Sequence, residues 1–362
     1  MSLMDAAPTR FHPLRIARVQ RETEDAVTLA LDVPADLAAR FAYRPGQYLT
    51  LRATIEGEEV RRSYSICSGL DDGALMVAVK RVEGGRFSVW ANGSLRDGAM
   101  IEAMPPAGRF GAPVDAVPRR YLGVAAGSGI TPVLSILKTV LTRSPGSRFT
   151  LLYGSRNTAG ILFRDTLEAL KDRFMERLSL VHVLSREQQD IPALNGRIDG
   201  ARVTALLPGL FPDGLPDHAL LCGPDGMIRS AAEALAAAGM PDGRVVSERF
   251  LVDGAPSPRP RPAAVPGATP FAVATVVADG ARTDVPLLQG ETVLDAALRA
   301  GLDLPYSCRG GMCSTCRARV TEGAVTMDVN YGLEPWETAA GYVLTCQSHP
   351  ATARVTVDYD HV

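Results

Sequence analysis

Six cysteines are spread unevenly along the 362-residue chain: Cys67 and Cys222 stand alone, whereas Cys308, Cys313, Cys316 and Cys346 crowd into its last part. The first three of that group form C-x4-C-x2-C, and 29 residues separate Cys316 from Cys346. Four thiolates at this spacing match the ligands of a [2Fe–2S] cluster, a one-electron carrier. A structural zinc site usually takes two C-x2-C pairs or mixes cysteine with histidine, and the nearest histidine is His349, so zinc is the weaker reading. Gly310 and Gly311 let the backbone wrap closely and aim N–H groups at sulfur. Ser307, Ser314 and Thr345 offer hydroxyl donors, which loop polarity explains equally well.

A second group of residues suits an aromatic ring joined to a pyrophosphate. In Arg62-Ser63-Tyr64-Ser65, at the end of a strand, the arginine can pair with phosphate, the tyrosine can stack, and a serine can hydrogen-bond a ring nitrogen. Gly84-Gly85-Arg86-Phe87-Ser88 permits close backbone approach and opens a helix at an anion, or else forms a glycine-rich hairpin turn.

A third group suits a dinucleotide. Gly127-Ser128-Gly129-Ile130-Thr131-Pro132 joins an apolar strand to a helix, so its N–H groups and the helix dipole face any bound anion. Pro132 replaces the third glycine of G-x-G-x-x-G, which disfavours an ordinary dehydrogenase site. Cys222-Gly223-Pro224 ends a later strand at the same carboxyl edge, where Cys222 either touches the ligand or packs.

The elements that must position these groups follow from periodicity. Alternating segments at Arg15 to Val19, Ala26 to Asp32, Gln47 to Thr54 and Ala74 to Val82 predict an antiparallel sheet or small barrel. Beyond Arg119, strands at Tyr121 to Ala125, Phe149 to Tyr153, Leu178 to Leu184, Ala219 to Cys222 and Arg244 to Phe250 alternate with helical patterns. Val133, Ile136, Leu137, Val140 and Leu141 mark one helix; Phe163 to Phe174 and Met227 to Ala238 mark two more. This alternation predicts a parallel sheet covered on both faces. Six prolines among the 17 residues from Gly254 to Pro270 predict a linker. The tail beyond it starts as a hairpin and has one helix near Val293 to Ala300, with Glu291, Thr292 and Asp295 at its positive end.

Composition narrows the functions. Lys plus Arg total 38 against 40 Asp plus Glu, a net charge of −2, which argues against nucleic acid or anionic lipid as partner. No apolar stretch approaches the ~20 residues that span a bilayer, and MSLMDAAPTRFHPLRIARV lacks the apolar core of a secretory signal, so the expected location is cytoplasmic. Residues 271–362 carry 11 acidic and 6 basic side chains, a net of −5, as suits a carrier steered to a basic acceptor.

RxYS, G-G-x-x-S, GxGITP and CGP, in this order, resemble the ferredoxin–NADP reductase superfamily up to about Phe250. With a plant-type ferredoxin domain behind them, the chain is similar to the reductase components of bacterial oxygenases. RRSYSICS, VKRVEGGRFS, AAGSGITPVL, CGPDGMI, ERF, LPYSCRGGMCSTC and NYGLEPWETAAGYVLTCQ look like segments of the phenylacetyl-CoA epoxidase reductases within that group.

The resemblance implies a multidomain fold: an antiparallel β-barrel flavin domain over 1–114, an α/β parallel-sheet nucleotide domain over 115–252, a linker over 253–270, and a β-grasp [2Fe–2S] ferredoxin domain over 271–362. Arg62 would hold the FAD pyrophosphate with Ser63 beside it, Tyr64 would stack on the isoalloxazine, and Ser65 would approach its reactive nitrogen. Gly85, Arg86, Phe87 and Ser88 would meet the pyrophosphate. Gly127, Gly129, Thr131, Pro132, Cys222, Gly223 and Pro224 would hold the nicotinamide dinucleotide, with Phe250 covering the flavin, so that Ser65, Cys222 and Phe250 flank the reacting rings. Ser155 and Arg156 sit where the family distinguishes the two dinucleotides, and a guanidinium there favours NADPH over NADH. Electrons would pass from NADPH through FAD and the cluster to a separate diiron oxygenase that epoxidises phenylacetyl-CoA. A Rieske-type oxygenase or a hybrid-cluster protein is the alternative client, and a redox-sensing module without turnover is the alternative class.

Overall fold

Between residues 11 and 113, short alternating strands with one apolar face curl into a barrel. In the computed structural model, which describes residues 11–250 and 269–361, these strands are β1 (His12–Thr23), β2 (Ala26–Asp32), β3 (Tyr48–Ile55), β4 (Glu58–Ser65), β5 (Leu75–Lys80) and β6 (Met100–Ala103). Their order is β4-β3-β6-β1-β2-β5. An antiparallel bridge between Ile66 and Val77, with Cys67 N donating to Met76 O at 2.9 Å, ties the β4 edge to the β5 edge. Leu14, Leu29, Leu49, Leu51 and Val77 fill the interior. Helix α1 (Arg86–Ser94) follows β5, so the glycine pair before it opens a helix and not a hairpin turn.

The second sheet is parallel throughout. Its strands are β7 (Arg120–Ala126), β8 (Arg148–Ser155), β9 (Leu178–Leu184), β10 (His218–Gly223) and β11 (Val245–Arg249), in the order β11-β10-β7-β8-β9. Helices α2 (Ile130–Arg143) and α3 (Arg164–Arg173) pack on one face, α4 (Gly200–Leu210) and α5 (Asp225–Ala237) on the other. The chain reverses its direction of winding between β7 and β10, and the carboxyl ends of those two strands form the topological switch point where folds of this kind have their ligand crevice. Residues Ala26, Cys67, Ala78 and Phe110 of the barrel region share a core with α2, so barrel and parallel sheet form one compact unit.

The second unit is a β-grasp. Strands β12 (Ala272–Ala278) and β13 (Ala281–Leu287) make the expected hairpin, helix α6 (Val293–Arg299) packs on it, and β14 (Arg317–Glu322), β15 (Val325–Met327), helix α7 (Pro335–Ala339), β16 (Tyr342–Leu344), β17 (Ser348–Pro350) and β18 (Arg354–Asp358) follow. The main sheet runs β13-β12-β18-β14-β16, with β12 and β18 parallel. Thr292 accepts from Asp295 N at 3.1 Å, which caps α6, while Val293, Leu294, Ala296 and Ala297 face the sheet. The expected linker lies outside the described residues except for Thr269 and Pro270, as do residues 1–10 of the N-terminal segment. Among the described residues no helix is long and apolar enough to cross a membrane.

Candidate functional site

The four clustered cysteines meet as two pairs. Cys308 and Cys313 lie in the loop between α6 and β14, and Cys308 Sγ accepts from Gly310 N and Cys313 N, each at 3.4 Å. The Cys313 thiol and these backbone N–H groups hold the Cys308 thiol below its ordinary range. Cys316 ends that loop beside β14, and Cys346 follows β16; Cys316 donates to Cys346, whose thiol is likewise lowered, with help from Gln347 and the Gly311 N–H. Thr345 N and Oγ1 both donate to Cys316 O, at 3.2 and 2.9 Å, and fasten this second pair. Among the described residues no three metal-ligating side chains converge as a single ion requires. Two thiolate pairs instead suit the two irons of a [2Fe–2S] cluster, each taking two sulfurs. Gly311 has φ +77°, and a Cβ there would stand 3.0 Å from Val329, so the wrap of this loop needs glycine. The hydroxyls of Ser314 and Thr345 go to the carbonyls of Gly332 and Cys316, so these donors brace the loop.

The flavin candidates gather where β4 leaves the barrel. Tyr64 is half-buried, with its ring centroid 5.4 Å from that of Phe87 at 39°. Phe87 is 1% exposed and Ser88 is buried, with Ser88 Oγ accepting from Val82 N at 3.1 Å. Both side chains therefore anchor α1, and what the helix offers a phosphate is backbone: no side chain caps its N-terminus at Gly85. Arg86 binds Glu58 at 2.5 Å and Ile55 O at 3.0 Å, while Arg62 is exposed, its Nη1 donating to Arg61 O at 2.7 Å. Ser63 is half-buried in the same run.

The dinucleotide candidates line the crevice between β7 and β10. Gly127, Ser128 and Gly129 form a tight turn before α2, and a Cβ on Gly129 would stand 2.1 Å from Cys222 O, so this close approach excludes any larger residue. Tyr153 Oη donates to Gly127 O at 3.0 Å and Thr131 Oγ1 to Ser128 O at 2.9 Å, while Pro132 fits the first turn of α2. Gly223 ends β10 and Pro224 stands at the N-cap of α5. At the end of β8, Ser155 Oγ is a buried polar atom without a hydrogen-bond partner among the described residues. Arg156 beside it is exposed, and Arg186 N donates to Arg156 O at 2.7 Å, so the backbone of a second exposed arginine runs beside it.

Barrel and parallel sheet meet at Ser65. Its Oγ donates to Glu248 Oε2 at 3.2 Å, and the β10–β11 register sets Glu248 opposite Cys222. Burial lifts the Glu248 carboxyl from 4.5 to about 8, and the Ser65 hydrogen bond offsets part of that rise. Burial, with Glu248 nearby, pushes the Cys222 thiol up, so it stays protonated. Phe250 packs, partly buried, against the core that contains Cys222. Ser65 and Cys222, distant in sequence, thus both neighbour Glu248, two residues before Phe250, and Glu248 is a member that sequence reasoning overlooked.

Fold and site define an oxidoreductase that binds FAD, a nicotinamide dinucleotide and a [2Fe–2S] cluster. Family models for an oxidoreductase FAD-binding domain, an oxidoreductase NAD-binding domain and a 2Fe-2S iron-sulfur cluster binding domain match residues 13–111, 124–233 and 276–351. One of the subunits of 1,2-phenylacetyl-CoA epoxidase from Escherichia coli (strain K12) is 46% identical over 354 residues, spanning 97% of this chain and 98% of that protein. The ferredoxin reductase component of 3-ketosteroid-9-alpha-monooxygenase from Rhodococcus rhodochrous is 34% identical, with 96% of each chain covered. Among solved structures, phthalate dioxygenase reductase shares the fold, with a TM-score of 0.60 at 23% identity over 98% of this chain and 100% of its own. The chain belongs to the family of oxygenase reductase components that includes this phenylacetyl-CoA epoxidase protein.

Proposed function

We propose that this chain is the cytoplasmic reductase component of a phenylacetyl-CoA epoxidase in phenylacetate degradation, and that its client is a diiron oxygenase. The observation that carries the reading is the end-to-end match to the Escherichia coli phenylacetyl-CoA epoxidase protein, at 46% identity over 97% of this chain. When bound, NADPH supplies an electron pair as hydride, FAD divides the pair, and the [2Fe–2S] cluster relays single electrons. The chain's own residues orient and shield these groups. Arg62, Ser63 and the open N-terminus of α1 at Gly85, Arg86, Phe87 and Ser88 hold the flavin's pyrophosphate; Tyr64 stacks on its ring. Gly127, Gly129, Thr131, Pro132, Gly223 and Pro224 bind the dinucleotide. Ser65, Cys222 and Phe250 flank the nicotinamide, and Glu248 fixes the Ser65 hydroxyl. Ser155, Arg156 and Arg186 receive a 2′-phosphate, which favours NADPH over NADH. Cys308, Cys313, Cys316 and Cys346 are the cluster ligands. The division into domains at 1–114, 115–252 and 271–362 is supported by the three main sheets and the three matched ranges.

Two measurements test this. The purified protein, mixed with the oxygenase component and NADPH, drives epoxidation of phenylacetyl-CoA; activity only with a 3-ketosteroid monooxygenase, the client named for the 34%-identical relative, would reject the assignment. Cys313→Ser abolishes cluster-dependent cytochrome c reduction and leaves NADPH-driven flavin reduction intact. Loss of flavin reduction in a folded variant contradicts the order of carriers.

A further inference from the structure

We infer that Gln347 is a positioning residue for the iron–sulfur centre: its side-chain amide donates to the sulfur of Cys346 and ties that ligand to the loop that carries Cys308. The inference rests on the reading of the four cysteines as cluster ligands. Gln347 Nε2 lies 3.5 Å from Cys346 Sγ, 2.9 Å from Cys346 O and 2.9 Å from Arg309 O. All three neighbours are acceptors, so the amide end that faces them is the NH2; a carbonyl oxygen there would meet three lone-pair contacts. The side chain is only 8% exposed, so water does not readily replace the donor. Its backbone is fixed on both sides, Gln347 N donating to Leu344 O at 2.8 Å and Gln347 O accepting from Asp328 N at 3.0 Å.

Two consequences follow. Reduction adds negative charge that the ligand sulfurs share, so an N–H directed at Sγ stabilises the reduced state more than the oxidised one and raises the potential. Cys308 takes such donors from the backbone of Gly310 and Cys313, which no side-chain substitution removes. Cys346 takes one from the Gly311 backbone and one from Gln347, and the latter can be deleted. The same amide spans from Arg309 O to Cys346, so it also sets the distance between the two ligand-bearing segments. Arg309 is itself held, paired with Asp295 and in the left-handed region at φ 52°.

The test is Gln347→Met in the full-length holoprotein, which keeps the length of the side chain and removes the donor. The expected result is a flavin- and cluster-loaded protein whose cluster midpoint potential shifts negative and whose terminal Fe–S stretching frequencies rise in the resonance Raman spectrum, while the flavin potential stays unchanged. With glutamine side-chain amides labelled with nitrogen-15, the reduced wild-type cluster shows a hyperfine coupling to that nucleus. An intact cluster in Q347M with unmoved potential and unmoved Fe–S frequencies overturns the inference. If Q347M loses its cluster, the wild-type coupling decides: its presence supports the donor and its absence refutes it. A wild-type protein without a [2Fe–2S] spectrum instead refutes the ligand assignment itself.

Discussion

Ser65 and Glu248 stand 183 positions apart in the sequence, yet one hydrogen bond of 3.2 Å joins them. The carboxyl that accepts it has its pKa raised from 4.5 to about 8, so the fold prefers the protonated form. Stability from this preference is present in full below about 4.5 and is lost as pH climbs to about 8. Glu248→Gln is therefore expected to flatten the decline in urea stability across that window by about 2 kcal/mol, less than full burial would give because the side chain keeps partial exposure. A decline of unchanged slope in the variant would assign the pH dependence elsewhere. Of this region, Ser65, Cys222 and Phe250 could be named from the sequence as candidates because each lies in a short motif. Glu248 stands in the same Glu248-Arg249-Phe250 run, but its pairing with Ser65 and its place opposite Cys222 come from tertiary contact and β10–β11 register, which no local pattern encodes. Cys67 shows the opposite case: burial raises its thiol to about 12 and its Sγ donates to Met76 O at 3.4 Å, which supports packing as its role.

The elements were legible where period and punctuation agreed. The apolar run Tyr121 to Ala125 followed by glycines and an amphipathic stretch gave β7 and α2 within a residue or two, because a buried parallel strand and a helix differ sharply in period. Helix α4 is not among the helices read from the sequence: Pro208 and Gly209 near its end are poor helix formers, although Asp199 caps its start by accepting from Arg202 N at 2.8 Å. The short helix α7 was hidden likewise by Pro335, which occupies its first turn. The turn between β7 and α2 is the tightest junction in the crevice, and Gly129→Ala tests it. A methyl group 2.1 Å from a carbonyl oxygen of β10 forces the two strand ends apart, at a cost of about 1–3 kcal/mol. We expect KM for NADPH to rise at least about tenfold, as a shift of 1.4 kcal/mol gives, with flavin content unchanged. Wild-type KM in a folded G129A protein would show that the crevice does not close on the dinucleotide there.

At the scale of the molecule, barrel and parallel sheet act as one body because polar contacts reinforce their shared core. Tyr43 Oη reaches Ser68 Oγ, Ser68 O and Gly69 O within 2.9 to 3.1 Å, and Ser135 Oγ of α2 donates to Ser68 O at 2.6 Å. The ion pairs Lys138 to Asp72 and Arg143 to Asp71 run alongside, but solvent screens them and they add little. Tyr43→Phe is expected to destabilise this unit by about 1 kcal/mol in urea titrations, since it removes the hydroxyl that joins three buried acceptors, although each keeps a second donor in Ser135 Oγ, Met76 N or Asp72 N. An unchanged midpoint would mean that apolar packing alone couples the two sheets. In the second unit, the four cysteines proposed as cluster ligands divide unequally between near and distant chain. Cys308 and Cys313 belong to one loop, whereas Cys316 and Cys346 come together only after β14 has paired with β16. The first pair asks little of the fold, but the second would be a clasp on tertiary structure, closed by the metal it is proposed to hold. On that proposal, whatever prises β16 from β14 would spill iron at the same moment, so the bleaching of the protein's visible colour would serve as a built-in gauge of its unfolding.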